Sequence, residues 1–163
     1  MKSTCNVVTV VAALAIAASG CDPGWHYEVE GLRGIMENGL RFEIPGPPQT
    51  RTLVYASMFA GALSADIRIT RMGDVDLIFT EEARLTVINA AGAILPEESS
   101  VVWCSEHQVS VNRRSGLGET CLVSATFDSG VSAAELGEIS ILLEGLRLHD
   151  RPSSVKVRMR RTP

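Results

Sequence analysis

The chain has 163 residues, 45% of them hydrophobic and 21% charged, with a formal net charge of −4 at pH 7. That is about one domain's worth of chain, long enough to bury a core of its own. No basic excess exists to neutralise phosphates, which gives no reason to expect nucleic acid as a partner, and aromatics at 5% are few for a sugar-stacking platform.

In chain order the first feature is a leader. Lys2 precedes an uncharged, mostly apolar run from Val7 to Ala18, the length of a signal-peptide core and too short to span a bilayer as a mature helix. The run ends in Ala18-Ser19-Gly20-Cys21, which resembles the lipobox of bacterial lipoproteins, with Ala18 standing where Leu, Val or Ile is usual. The resemblance implies that residues 1–20 are removed and that Cys21 is acylated as the mature N-terminus. It also implies an envelope protein held to a membrane by lipid and facing the periplasm. Asp22 resembles the inner-membrane retention signal of enteric bacteria, and the choice between the two membranes stays open. The alternative is ordinary secretory cleavage at a small-residue site such as Ala15-Ile16-Ala17. Cys5 falls in the removed segment. Residues 21–24 then form a short tether and 25–163 a single domain, and losing the leader shifts the net charge to about −5, since Lys2 is its only charge.

Beyond the tether the dominant period is two. Ala65, Ile67 and Ile69 alternate with Asp66, Arg68 and Thr70, Met72-Gly73-Asp74 turns the chain, and Val75, Leu77 and Phe79 alternate next. The pair reads as a hairpin with one buried face. Further strands are expected at Tyr27 to Gly31, Leu40 to Ile44, Thr52 to Ala60, Arg84 to Asn89, Val101 to Val111, Cys121 to Phe127, Ile139 to Leu148 and Val155 to Arg160. Turn clusters such as Pro45-Gly46-Pro47-Pro48 and Asp128-Ser129-Gly130 punctuate them. About eight to ten short strands at this spacing predict an all-β fold: an antiparallel β-sandwich, immunoglobulin-like or jelly-roll-like, with a barrel as the alternative. Ser132-Ala133-Ala134-Glu135 is a capping-box pattern and predicts one helical turn over Ala133 to Gly137, or a longer helix to Leu143. Glu-Gly-Leu-Arg occurs at Glu30 to Arg33 and again at Glu144 to Arg147, without matching surroundings, so no duplicated unit is inferred.

With Cys21 lipidated, Cys104 and Cys121 remain, and an isolated pair in an exported protein predicts a disulfide. Both share alternation with apolar neighbours, so both thiols face the core, and the bridge closes a Gly-rich polar loop containing Arg113 and Arg114. That loop is the expected contact surface, the two arginines being suited to carboxylates or phosphates. The two chain ends carry a second pattern. His26, Glu28 and Glu30 alternate along the first strand, and Lys156, Arg158 and Arg160 along the last. Like charges in a row repel unless a neighbour compensates them, so the two strands are predicted to lie in one sheet, adjacent or one apart. Trp25 and Tyr27 either pack inward there or sit at headgroup level.

No nucleophile elbow, phosphate loop, His-Glu-x-x-His or Cys-x-x-Cys is present. Ser153-Ser154-Val155-Lys156 satisfies Ser-x-x-Lys but lies on a Pro-led turn entering a strand. His26, His107 and His149 fall in separate elements. Asp74 and Asp76, with Glu81 and Glu82 beyond, form an oxygen cluster of the sort calcium accepts, or simply surface charge. The expectation is a non-enzymatic membrane-tethered module without a cofactor. It serves protein interaction or structure in the envelope, or alternatively binds a small ligand or glycan. A pocket lined by Trp103, Trp25 or Tyr side chains favours the ligand module; a flat apolar patch or free edge strand favours the protein module.

Overall fold

The computed structural model describes residues 24–104, 107–108 (backbone only), 118–130 and 135–162. The described residues form eleven strands: β1 (Trp25–Glu28), β2 (Gly34–Met36), β3 (Leu40–Ile44), β4 (Thr50–Phe59), β5 (Ala62–Arg71), β6 (Leu77–Asn89), β7 (Glu97–Cys104), β8 (His107–Gln108), β9 (Thr120–Asp128), β10 (Glu138–Leu148) and β11 (Arg151–Arg161). All pairings are antiparallel, in the order β6-β10-β11-β1-β4-β5-β9-β7-β8, with β3 and β2 branching from β4. The all-β antiparallel class is as expected. The stacking differs from the expected sandwich, because β1 pairs β11 on one side and β4 on the other and so joins both parts into one sheet. That sheet rolls until it nearly closes into a barrel. At the seam Ile88 bridges Ile94, and the Leu95 N–H donates to Val87 O at 2.9 Å.

Alternation decides what fills the barrel. Val54, Ala56 and Met58 on β4, Leu63, Ala65, Ile67 and Ile69 on β5, and Val123, Ala125 and Phe127 on β9 are all buried. Ile139, Ile141 and Leu143 on β10 face Val155, Val157 and Met159 on β11 inside the same cluster. Residues between them point outward and keep the polar groups in water.

The hairpin expected across residues 65–79 is corrected. Both runs are strands with the expected buried faces, but β5 pairs β4 and β9, while β6 pairs β10. The segment 72–76 is a crossing between the two parts of the sheet, with Val75 buried in transit. The expected helical turn is also absent from what is described: 131–134 lie outside the described residues, and 135–137 turn without helix before β10 begins. Leu136 is buried there, and its carbonyl accepts the Tyr27 hydroxyl at 2.7 Å. Gly137 and the alternating Ile139 and Ile141 favour the extended chain over the helix.

The terminal strands pair as their charges require, Tyr27 opposite Arg161 and Glu28 opposite Arg160. Arg160 lies 3.6 Å from both Glu30 and Glu138, and Arg158 lies 3.1 Å from Glu138. Tyr27 packs inward, whereas Trp25 is half-buried under the Arg161 guanidinium, 4.6 Å from the ring centroid.

β10 carries one irregularity. Gly145, at φ 76°, bulges out of register, and a four-residue stretch of β6, 80–83, swings past it. The Thr80 hydroxyl donates to Gly145 O at 2.9 Å, and a Cβ on Gly145 would stand 2.3 Å from backbone atoms of both Glu82 and Ala83. The next turn, His149-Asp150, has both residues at positive φ, which marks the two-residue connection of a tight hairpin.

Candidate functional site

The strongest site lies on the outer face of the barrel and begins with a hairpin that alternation alone does not reveal. β2 and β3 are joined by Glu37-Asn38-Gly39, with Asn38 and Gly39 at positive φ. This hairpin curls over β4. Gly39 is set against the Tyr55 ring, where a Cβ would be 3.3 Å from Cε2. Arg41 reaches across β4 to Asp66 on β5 in a bidentate pair, its guanidinium 5.4 Å from the Tyr55 ring centroid and its Nε donating to Glu37 O at 2.8 Å. Arg41 is only 3% exposed, so the pair pins the hairpin down from inside.

Beside this hairpin one row of outward residues crosses four strands in register: Leu53, Arg68, Leu122 and Trp103. The neighbouring row is Arg51, Thr70 and Thr120, the two threonine hydroxyls 2.7 Å apart. Together with the hairpin turn they enclose a recess of about 470 Å³. Trp103 forms one wall and Glu37 and Asn38 the other, above a floor of Arg68 and Leu53. The two arginines differ. Arg51 donates to Glu43 at 3.1 Å and sits 3.7 Å from Glu37. The half-buried Arg68 has no hydrogen-bond or ion-pair partner among the described residues. A guanidinium held in a concave site and left without a carboxylate can accept one from a ligand, in fork geometry.

Cys104 and Cys121 stand directly opposite one another on β7 and β9 at disulfide distance, Cα–Cα 3.9 Å, both buried as expected. They close the chain between them next to Trp103. Arg113 and Arg114 lie outside the described residues, as does Cys21. Replacing both cysteines by alanine is expected to lower stability by about 3 kcal/mol from the freed chain entropy of the unfolded state. Denaturant unfolding of the two forms measures it.

The other sequence candidates do not converge. Asp74 and Asp76 flank Val75 in the crossing before β6; Asp74 is fully exposed and accepts from Arg71 at 3.1 Å. Among the described residues no three His, Cys, Asp or Glu side chains gather to hold a metal. Ser153 and Lys156, three apart on β11, point to opposite faces. A wider recess of about 640 Å³ lies over the Gly145 bulge. Its carboxylates are exposed Glu81 and Glu82, with Glu144 3.9 Å from Arg84, and no aromatic wall faces them. Arg68 and the β2–β3 hairpin were missed in the sequence, although Asn38-Gly39 between Ile35-Met36 and Leu40-Arg41-Phe42 is a hairpin signal. No protein-family model, curated protein or solved structure matches the chain.

Proposed function

We propose that the chain is a membrane-anchored lipoprotein of the bacterial envelope whose barrel is a non-catalytic binding module, and that the Trp103 recess takes a carboxylate-bearing saccharide. The observation that carries this reading is Arg68, without a partner among the described residues, on the floor of a recess walled by an indole. Trp103 offers an apolar face to a sugar ring, Arg68 a fork to its carboxylate, and Thr70, Thr120 and Asn38 offer hydrogen bonds to its hydroxyls. The protein-interaction reading has less support here. The exposed large apolar residues on β7 are Val101 and Trp103 alone, and β2, at the end of the branch, is three residues long.

Fluorescence of Trp103 in a Trp25→Phe background tests the proposal. Uronic-acid oligosaccharides are expected to change the emission saturably, and the same oligosaccharides with carboxyls reduced to alcohols are not. Arg68→Gln removes a charge-assisted pair of about 1.5–3 kcal/mol, roughly a ten- to hundredfold loss of affinity. Equal response to charged and neutral sugars, or none to either, overturns the reading.

A further inference from the structure

We propose that one end of the barrel is a membrane-contacting surface, with Phe59 and Ile94 entering the headgroup region of a lipid bilayer while the Trp103 recess points away from it. The inference rests on the lipid anchor at Cys21 proposed above. β4 ends, β5 and β10 begin, and β6 and β9 finish at the same end of the barrel as Trp25. The domain therefore leaves its tether at that end. Asp22-Pro23-Gly24 is all that separates Cys21 from Trp25, and three extended residues reach roughly 10 Å. Gly24 itself lies against Phe59, where a Cβ would be 3.8 Å from ring Cδ2. A lipid on Cys21 is thus kept within a few residues' reach of that ring.

The surface around it suits lipid. Phe59 and Ile94 are each 68% exposed. Single exposed apolar side chains are ordinary, but these two share one end: Phe59 closes β4 beside the connection 60–61 and Ile94 stands on the connection 90–96, and neither connection contains a charged residue. β9 ties those connections together. The Ser129 N–H and hydroxyl both donate to Gly61 O, at 3.3 and 2.7 Å, and the Asp128 N–H donates to Pro96 O at 3.0 Å. Trp25, capped by Arg161, adds an amphipathic aromatic of the kind found at bilayer interfaces. The opposite end differs in chemistry: its connections and strand ends carry Arg71, Asp74, Asp76, Asp150 and Arg151. Glu97, Glu98 and Asp128 border the apolar end, so the matching surface is zwitterionic rather than anionic lipid. The recess row, Leu53 to Trp103, sits six residues from Phe59 along β4. That is roughly 20 Å at strand rise, which holds the site clear of the headgroups.

The test uses full-length protein, purified with its anchor and reconstituted into phosphatidylcholine vesicles carrying headgroup-labelled quencher lipid. Single-tryptophan reporters Phe59→Trp, Ile94→Trp and Met72→Trp are made in a Trp25→Phe/Trp103→Phe background; Met72, 61% exposed, marks the opposite end. Phe59→Trp and Ile94→Trp are expected to be quenched severalfold and Met72→Trp to be unchanged. Equal quenching at both ends, or none at Phe59→Trp and Ile94→Trp in protein that floats with the vesicles, overturns the surface and leaves the anchor standing. Flotation reads the anchor separately. If wild type and Cys21→Ala partition alike, the anchor falls and this surface with it.

Discussion

Gly145→Ala is expected to cost the barrel about 3–5 kcal/mol, among the largest effects of any single methyl addition in this chain. Two penalties act together. The backbone at φ 76° lies in the left-handed region that a Cβ disfavours by about 1–2 kcal/mol. The added atom would also stand 2.3 Å from the main chain of Glu82 and Ala83, and a backbone cannot step aside as a flexible side chain can. Relief requires the 80–83 stretch of β6 to move out, which breaks the bond from Thr80 to Gly145 O and loosens Phe79 and Leu85 on either side. Denaturant unfolding measures the loss. Gly31→Ala is the control: it sits at a similar φ of 78° in the other Glu-Gly-Leu-Arg copy, but its Cβ would meet nothing within 4 Å. It should lose only the backbone term. Equal losses in the two variants would show that the close approach at Gly145 carries no weight.

Arg41→Met is expected to lose about 3–5 kcal/mol, because it strands the Asp66 carboxylate, 13% exposed, under the hairpin without its partner. The double variant Arg41→Met/Asp66→Leu removes both charges and should recover most of that loss, since a buried pair adds little over apolar side chains of similar volume. Unfolding curves of the three forms give the coupling directly. Hydrogen exchange adds a spatial check. Protection over β2 and β3 should fall in Arg41→Met while β5 and β9 keep theirs, because the pair fastens the hairpin and not the sheet beneath it. The Trp103 recess then loses its Glu37 and Asn38 wall, and ligand affinity falls with hairpin protection.

How much of this was legible in the sequence depends on what alternation encodes. It assigns a face to each residue, and the inward sets at Ala65, Ile67 and Ile69, at Val123, Ala125 and Phe127, and at Val155, Val157 and Met159 are the ones buried. It does not assign a neighbour. β5 and β6 follow one another in sequence with matching buried faces and still belong to different parts of the sheet, because Met72 to Asp76 can cross a barrel end as readily as turn a hairpin. Charge supplied what alternation could not: opposite ladders place the first and last strands in one sheet, adjacent or one apart, and in the structure they pair directly. The cysteine pair predicts a bridge between Cys104 and Cys121, and the structure sets their strands, β7 and β9, side by side. The site was harder to read. Trp103 is legible in sequence as one of a few aromatics that could line a pocket, but Arg68 looks like any polar residue of an exposed face. Only the folding of the β2–β3 hairpin over β4 turns that face into a recess.

β1 is four residues long, yet it is the strand that hydrogen-bonds the chain's beginning to its end. The closing bonds are few: Tyr27 opposite Arg161, Glu28 opposite Arg160, and the Thr162 N–H and hydroxyl both donating to His26 O at 2.9 Å. A chain delivered from its N-terminus cannot make them until residue 162 has emerged. The pairing with greatest sequence separation is thus made last, after the loop-closure entropy of the whole domain has been met. Until residues 160–162 have emerged, the seam stays open, with β1 half-paired on β4. Any truncation short of Arg160 would leave that seam open permanently, exposing the unpaired edges of β1 and β11 to strands of other chains.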